Sequence, residues 1–211
     1  MASLQNSQLL PFSEACERNQ RPILEVIGPA LAGASNVLEI GSGTGQHAVF
    51  FARHLPQLRW QASERPQSLN NLAQRIAAEQ LPNLAAPIAI DVEDTEWQVV
   101  AAAVFTANTL HIMSWRQVQM LFERLPAVLT GSSASLLVYG PFRYAGEFTS
   151  ASNAEFDQLL RAHDPLSGIR DFEAVDALAR SQGLKLLADH ALPANNQLLH
   201  WCAQARWRKK C

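Results

Sequence analysis

Apolar positions along the chain recur in two rhythms. Compact apolar runs at 35–40, 58–63, 86–91, 101–107, 133–139, 184–190 and 197–204 predict seven strands. Between them the spacing lengthens to that of a helix face, at Leu69, Leu72, Ala73 and Ile76 and again at Val118, Leu121, Phe122 and Leu125. Phe156, Leu159 and Leu160 repeat it, with Ser152 or Asn153 as the N-cap. A further helix carries Phe172, Val175 and Leu178, capped by Asp171 and closed by Gly183. Ahead of the first strand, Ser13 starts one helix and Pro22 begins a second, because proline suits a first turn and not an interior. Strands alternating with helices predict an α/β fold, a mostly parallel sheet with helices on both faces.

Composition narrows the class. A chain of 211 residues, 48% hydrophobic, buries a full core as one domain spanning 1–211. Its net charge of -2 offers no general attraction to nucleic acid or to an anionic membrane. The basic end, Arg206, Arg208, Lys209 and Lys210, reads as a solvated tail. Cys16, Cys202 and Cys211 are too scattered for a disulfide framework or a zinc site, so no metal is expected. With no signal-peptide pattern and no long apolar run, the expectation is a soluble, cytoplasmic protein.

The candidate chemistry begins at Val37-Leu38-Glu39-Ile40-Gly41-Ser42-Gly43-Thr44-Gly45, where an apolar strand meets a glycine turn and then a helix from Gln46. Glycines let such a turn close tightly and let a ligand lie against backbone N–H groups at a helix N-terminus. A dinucleotide fingerprint would require glycine at the position of Gln46. The run E-x-G-x-G-x-G instead resembles motif I of the class I methyltransferases that use S-adenosyl-L-methionine. That resemblance implies a cofactor site formed by Glu39, Gly41, Gly43 and Gly45, with the acidic residue orienting the methionine part.

Neighbouring strand ends extend the constellation. Glu64 closes the second strand about 20 residues after Gly43, the offset at which a carboxylate meets ribose hydroxyls. Asp91, with Val92, closes the third strand where an adenine would lie, although an aspartate there equally caps a turn. Asn108 ends the fourth strand, where the methyltransferase resemblance implies a cofactor or acceptor contact. His111 follows it, either as a general base, since an ordinary imidazole titrates near neutral pH, or as a packed histidine. His47 opens the helix after the glycine loop, and the helix dipole favours its neutral form. Residues 140–168, containing GPFRYAGEFTS, form a long connection on the same sheet edge and are assigned to a substrate-side insertion.

Further stretches make the likeness more specific: ACERNQRPIL (15–24), LEIGSGTGQHAVFFA (38–52), WQASE (60–64), NTLHIMSW (108–115), YGPF (139–142), FTSASNAEFDQLLR (148–161), GIRDFE (168–173) and PANN (193–196). Together they resemble the family of methyltransferase-like protein twenty-six, methyltransferases of unassigned substrate, over nearly the whole chain. The resemblance implies a Rossmann-like class I methyltransferase fold, S-adenosyl-L-methionine as cofactor and an N-terminal helical cover over 1–34. It also implies acceptor contacts from Arg18, Asn19, Asn195 and Asn196, and a catalytic contribution from Tyr139. Arg18 would suit an acidic acceptor group, while PANN equally reads as a turn. Two departures stand out: Glu64 replaces the usual aspartate, and Ala102 and Ala103 occupy a usually acidic region. The tryptophans Trp60, Trp97, Trp115, Trp201 and Trp207 could form an aromatic cage, but most of them read as core or interface packing.

The expected reaction is methyl transfer to a small-molecule acceptor, which mainly requires alignment of nucleophile, methyl and sulfur. Two alternatives are a regulatory protein that binds S-adenosyl-L-methionine or a nucleoside without turnover, and a nicotinamide-dependent oxidoreductase, which Gln46 disfavours. A nucleic-acid acceptor lacks the basic patch it would need.

Overall fold

The structure, a computed structural model, describes residues 10–131 and 133–204. The basic end 206–210, with Trp207 and Cys211, lies outside the described residues.

The chain opens with α1 (Glu14–Ala30), whose N-cap Ser13 accepts the Cys16 N–H on its hydroxyl. Glu14 and Glu17 place negative charge in the first turn, where the helix dipole favours it. Pro22 and Pro29 both lie inside this helix, so the expected second helix is absent and one continuous helix takes its place. The lost hydrogen bonds are outweighed by packing, since Ile23 and Ile27 are fully buried on its inner face.

Strand β1 (Asn36–Glu39) leads through the glycine loop to α2 (Gln46–His54), followed by β2 (Arg59–Glu64) and α3 (Leu69–Glu79). Strand β3 (Ile88–Ala89) is far shorter than the predicted 86–91, in keeping with an edge position where Pro87 has no N–H to give to a ladder. Strand β4 (Ala103–Ala107) begins two residues later than predicted. Asn36 accounts for the difference: its amide donates to the Val100 carbonyl and accepts from the Ala102 N–H, at 2.9 and 3.0 Å, in place of ladder partners.

Helix α4 (Trp115–Val128) starts at a capping box between Ser114 and Gln117. Strand β5 (Ser135–Gly140) follows, then β6 (Phe142–Tyr144), β7 (Glu147–Phe148) and α5 (Ala151–His163). Residues 140–168 thus hold a hairpin as well as the expected helix. Ala145 and Gly146 take the positive φ values of a tight hairpin turn, 50° and 81°, without the Asn-Gly signal that would have marked it. Ser150, not Ser152 or Asn153, caps α5. Strand β8 (Arg170–Asp171) joins β6 and β7 in a small second sheet. Helix α6 (Phe172–Ser181) and the hairpin β9 (Leu184–Leu192) and β10 (Asn196–Ala203) complete the chain. Asp171 is the N-cap of α6 but makes no side-chain cap bond, its carboxylate pairing with Arg143 instead. Gly183, φ 80°, sits just past that helix as expected.

The main sheet has the order β3-β2-β1-β4-β5-β10-β9, with β10 antiparallel to both its neighbours and the other pairings parallel. Side chains alternate between its faces: Leu38, Val104, Leu136 and Val138 meet α4 and α6, while Val37, Phe105, Leu137 and Tyr139 meet the α1–α3 side. Trp60 and Trp201 are wholly buried, one in each core, and Trp97 and Trp115 pack at the margin of the second. From β1 the chain winds outward to β2 and β3, then returns to wind the other way from β4. The ends of β1 and β4 thus flank the switch point where open α/β sheets bind ligands. No helix among the described residues is long and apolar enough to cross a membrane.

Candidate functional site

The glycine loop is fastened to the neighbouring strand by Ser42 and Ser63: Ser42 N–H donates to the Ser63 carbonyl at 2.9 Å, and Ser63 N–H to the Ser42 hydroxyl at 3.2 Å. Gly41, Gly43 and Gly45 all have positive φ, but only one of them opens onto free space. A Cβ on Gly41 would stand 2.9 Å from the Thr109 hydroxyl, and one on Gly45 2.7 Å from Leu72 Cδ1, whereas one on Gly43 would meet nothing within 4 Å. Gly45 is the N-cap of α2 and does not line the cavity; its role is packing.

A cavity of about 440 Å³ lies over this loop at the switch point. Of the residues expected to contact a cofactor, Gly41, Gly43, Glu64, Asp91, Val92 and Asn108 line it together. Glu64 receives the Gly43 N–H on one carboxylate oxygen at 2.8 Å and the Arg65 N–H on the other at 2.9 Å. Each oxygen keeps a further lone pair for a hydroxyl donor. Asp91 accepts the Glu93 N–H, and its own carbonyl is held by the Trp97 indole. Asn108 has φ 58°, an uncommon conformation outside glycine, and its N–H donates to the Tyr139 carbonyl.

Glu39 stands outside the cavity lining. It is buried beneath the loop, where its carboxylate accepts the Trp60 indole N–H at 2.7 Å. Burial raises its pKa to about 7, against the opposing pull of hydrogen bonds from Trp60 and Ser42.

His111 lines the cavity and packs edge-to-face on Phe156, ring centroids 5.3 Å apart. Its segment is clamped by Arg170, which donates to the carbonyls of Leu110 and Met113. Burial, with a smaller contribution from the Arg170 charge, lowers the His111 pKa to about 4. The imidazole is therefore neutral and far less basic than its ordinary value suggests. His47 also lines the cavity and is also brought down to about 4 by burial. Its Nε2 donates to the Asn19 amide oxygen at 2.6 Å.

Helix α1 crosses one side of the cavity. Ser13 N–H donates to the Gln46 amide oxygen at 2.6 Å, Gln46 returns an N–H to the Ser13 carbonyl at 3.2 Å, and Ser13, Ala15 and Cys16 face the cavity. Sequence reasoning missed these three, along with Thr109, Ile112, Met113, Gln117 and Phe156. Phe156 carried a signal of helix, not of site, and the Ser114-x-x-Gln117 spacing signals a helix start but nothing of a cavity.

A second cavity, about 320 Å³, holds the remaining expected residues: Arg18, Asn19, Tyr139 and Asn196 line it, and Asn195 does not. The Asn195 carbonyl instead accepts the Asn153 amide at 3.0 Å. Ala194 and Asn195, with φ 61° and 55°, form the β9–β10 turn, while Pro193, Ala194 and Asn196 face the cavity, so PANN serves both as turn and as wall. The Tyr139 hydroxyl lies within hydrogen-bonding reach of Asn19 and Asn196, and burial raises its pKa. Among the described residues no His, Cys, Asp or Glu cluster is arranged to hold a metal ion.

Solved structures share this architecture. The chain superposes on an O-methyltransferase family protein from Burkholderia thailandensis with a TM-score of 0.78 and 18% identity, over 90% of this chain and 58% of that one. Human N-acetylserotonin methyltransferase, solved with S-adenosylmethionine, gives 0.75 and 15% identity over 91% and 53%. An O-methyltransferase family 2 protein from Planctomyces limnophilus, solved with apigenin, gives 0.70 and 15% over 88% and 62%. The chain thus spans little more than half the length of these proteins, and at such identities the likeness establishes the fold alone: a Rossmann-like, mostly parallel α/β sheet with helices on both faces. A family model described as "Protein of unknown function (DUF938)" matches residues 10–203, and the chain belongs to that family.

Proposed function

We propose that the protein is a methyltransferase that binds S-adenosyl-L-methionine in the larger cavity and methylates a small molecule in the smaller one. One observation carries the reading: Gly41, Gly43, Glu64, Asp91, Val92 and Asn108, drawn from four strand ends, converge on one cavity at the sheet's switch point. The fit to the cofactor rests on the open face of Gly43 and on the spare lone pairs of Glu64, which suit a ribose diol. Asp91 and Val92 would hold the adenine end, Gly41 to Gly43 the methionine end, and Asn108 the region between the two cavities. When bound, S-adenosyl-L-methionine supplies an electrophilic methyl group on a sulfonium. This chain's residues then have to orient the acceptor and exclude water, which Phe156 and α1 do by walling the two cavities.

The finer likeness to methyltransferase-like protein twenty-six belongs to the same proposal, supported by the joint presence of PANN and SNAEFD. So does the division of 1–211 into one methyltransferase domain with a cover over 1–34 and an acceptor-side wall within 140–168. Calorimetric titration with S-adenosyl-L-methionine, S-adenosylhomocysteine and NAD tests the reading. The two adenosyl ligands should bind in the micromolar range and NAD should not; binding of NAD alone would overturn it.

A further inference from the structure

The smaller cavity adjoins the larger across Ala15, Asn108 and Phe156, which line both. Its polar lining has an asymmetric character. Arg18 is the sole charged residue in it, and no carboxylate faces it among the described residues. The other polar groups are the neutral side chains of Asn19, Asn108, Asn153, Asn196 and Tyr139, and Pro22, Pro141, Pro193 and Phe156 supply apolar walls. The amide oxygen of Asn19 accepts from His47, which turns its NH2 group, with two donors, toward Tyr139 and the cavity. Arg18 pairs with Glu14 at 3.3 Å on the exposed face of α1, a contact weak enough to exchange for another carboxylate.

The cavity also lacks a group suited to removing a proton. Tyr139, its one titratable neutral side chain, is held protonated by burial, and His111 across the wall is poorly basic. An acceptor that arrives as a neutral alcohol or ammonium would find no base matched to neutral pH.

We propose that the smaller cavity binds a small, largely apolar acid as its ionised carboxylate, with Arg18 as counter-ion, and that a carboxylate oxygen is the methyl acceptor. This rests on the methyltransferase reading above. The carboxylate oxygen forms a bond to the methyl carbon, the carbon–sulfur bond breaks, and sulfur keeps the electron pair. The products are a methyl ester and S-adenosylhomocysteine, and no proton moves. Tyr139 and Asn19 act as hydrogen-bond donors to the acid, and the prolines and Phe156 enclose its apolar part.

Calorimetry with benzoate, phenylacetate and indole-3-acetate, each against its carboxamide, tests the assignment on protein saturated with S-adenosylhomocysteine. At least one acid should bind tenfold or more tightly than its amide. Arg18→Gln should lower that affinity about tenfold and Arg18→Lys less, with S-adenosylhomocysteine affinity unchanged in both. Equal binding of acids and amides, binding indifferent to Arg18→Gln, or no acid binding to the saturated protein would overturn the carboxylate assignment while leaving the cofactor reading intact. Failure of S-adenosylhomocysteine to bind in its own titration would instead overturn the cofactor reading. Arg18-dependent binding of an acid to that protein would still support the anion pocket.

Discussion

Glu39→Gln offers a quantitative test of the buried carboxyl beneath the glycine loop. Glu39 titrates near pH 7 in the folded protein, against an ordinary 4.5. The folded state therefore binds more protons than the unfolded chain between those values, and the carboxyl's contribution to stability falls as pH rises through that window. With these two pKa values, raising pH from 5 to 8 costs the native protein about 2–3 kcal/mol through this one group. Glutamine keeps an oxygen to accept the Trp60 indole N–H and removes the ionisation. Urea unfolding of both proteins at pH 5, 6, 7 and 8 should show the variant gaining about 2–3 kcal/mol on the native protein across the series, equivalent to roughly 5–10 °C in Tm. His47 and His111 titrate in both proteins, so their effects cancel in the difference. A constant difference at all four pH values would refute the burial argument, because the carboxyl would then titrate alike in the folded and unfolded states.

The two imidazoles work in the opposite sense. Their folded pKa values of about 4, below the ordinary 6.5, give stability that is fully present above pH 6.5 and lost as pH falls through 4. Each contributes about 3 kcal/mol to that loss, and His47→Gln should flatten the acid limb of a stability–pH profile measured by denaturant unfolding. Gly43→Ala should cost about 1–2 kcal/mol for its left-handed backbone and, by filling the open face, weaken S-adenosylhomocysteine binding at least tenfold. Gly45→Ala should destabilise by more, because Leu72 obstructs the new Cβ, and thermal denaturation of the two variants side by side would rank them. Asn36→Ala should cost roughly 1–3 kcal/mol by leaving the Val100 carbonyl and Ala102 N–H without their partner, read from the shift in urea midpoint.

The sheet was legible because its interior strands obey one rule. Val37 and Leu38, or Leu136 and Leu137, are both apolar since helices cover both faces, and such runs are hard to mistake once Gly and Pro bound them. Part of the larger cavity's lining was legible for a related reason: strand ends in an open sheet fall in predictable places, so Glu64, Asp91 and Asn108 could be placed beside the glycine loop. Pro22 misled because local propensity argued for a break, while the packing of Ile23 and Ile27 argued for continuity and prevailed. Strand β4 was drawn too long because a side chain, Asn36, does the work of a neighbouring strand, and no periodicity encodes that substitution. Ser13, Ala15 and Cys16 were invisible as cavity residues, since their position depends on how α1 crosses the sheet. The choice at His111 between a general base and a packed histidine stayed open for the same reason, since its burial is set by neighbours distant in sequence.

Helix α5 is built inside out. It buries Asn153 and Asp157 and turns Phe156 and Leu159 outward, 37% and 68% exposed. Asn153 is tied to Thr149 and the Asn195 carbonyl, and Asp157 to Arg161 and the Ile169 N–H. A helix docked by hydrogen bonds instead of apolar surface opens with little change in heat capacity or denaturant sensitivity. Native-state hydrogen exchange should therefore find α5 opening below the global free energy and almost independently of added urea, while β1, β4 and β5 exchange only on complete unfolding. Phe156 walls both cavities, so that local opening removes a shared wall and widens the two together while the sheet stays folded.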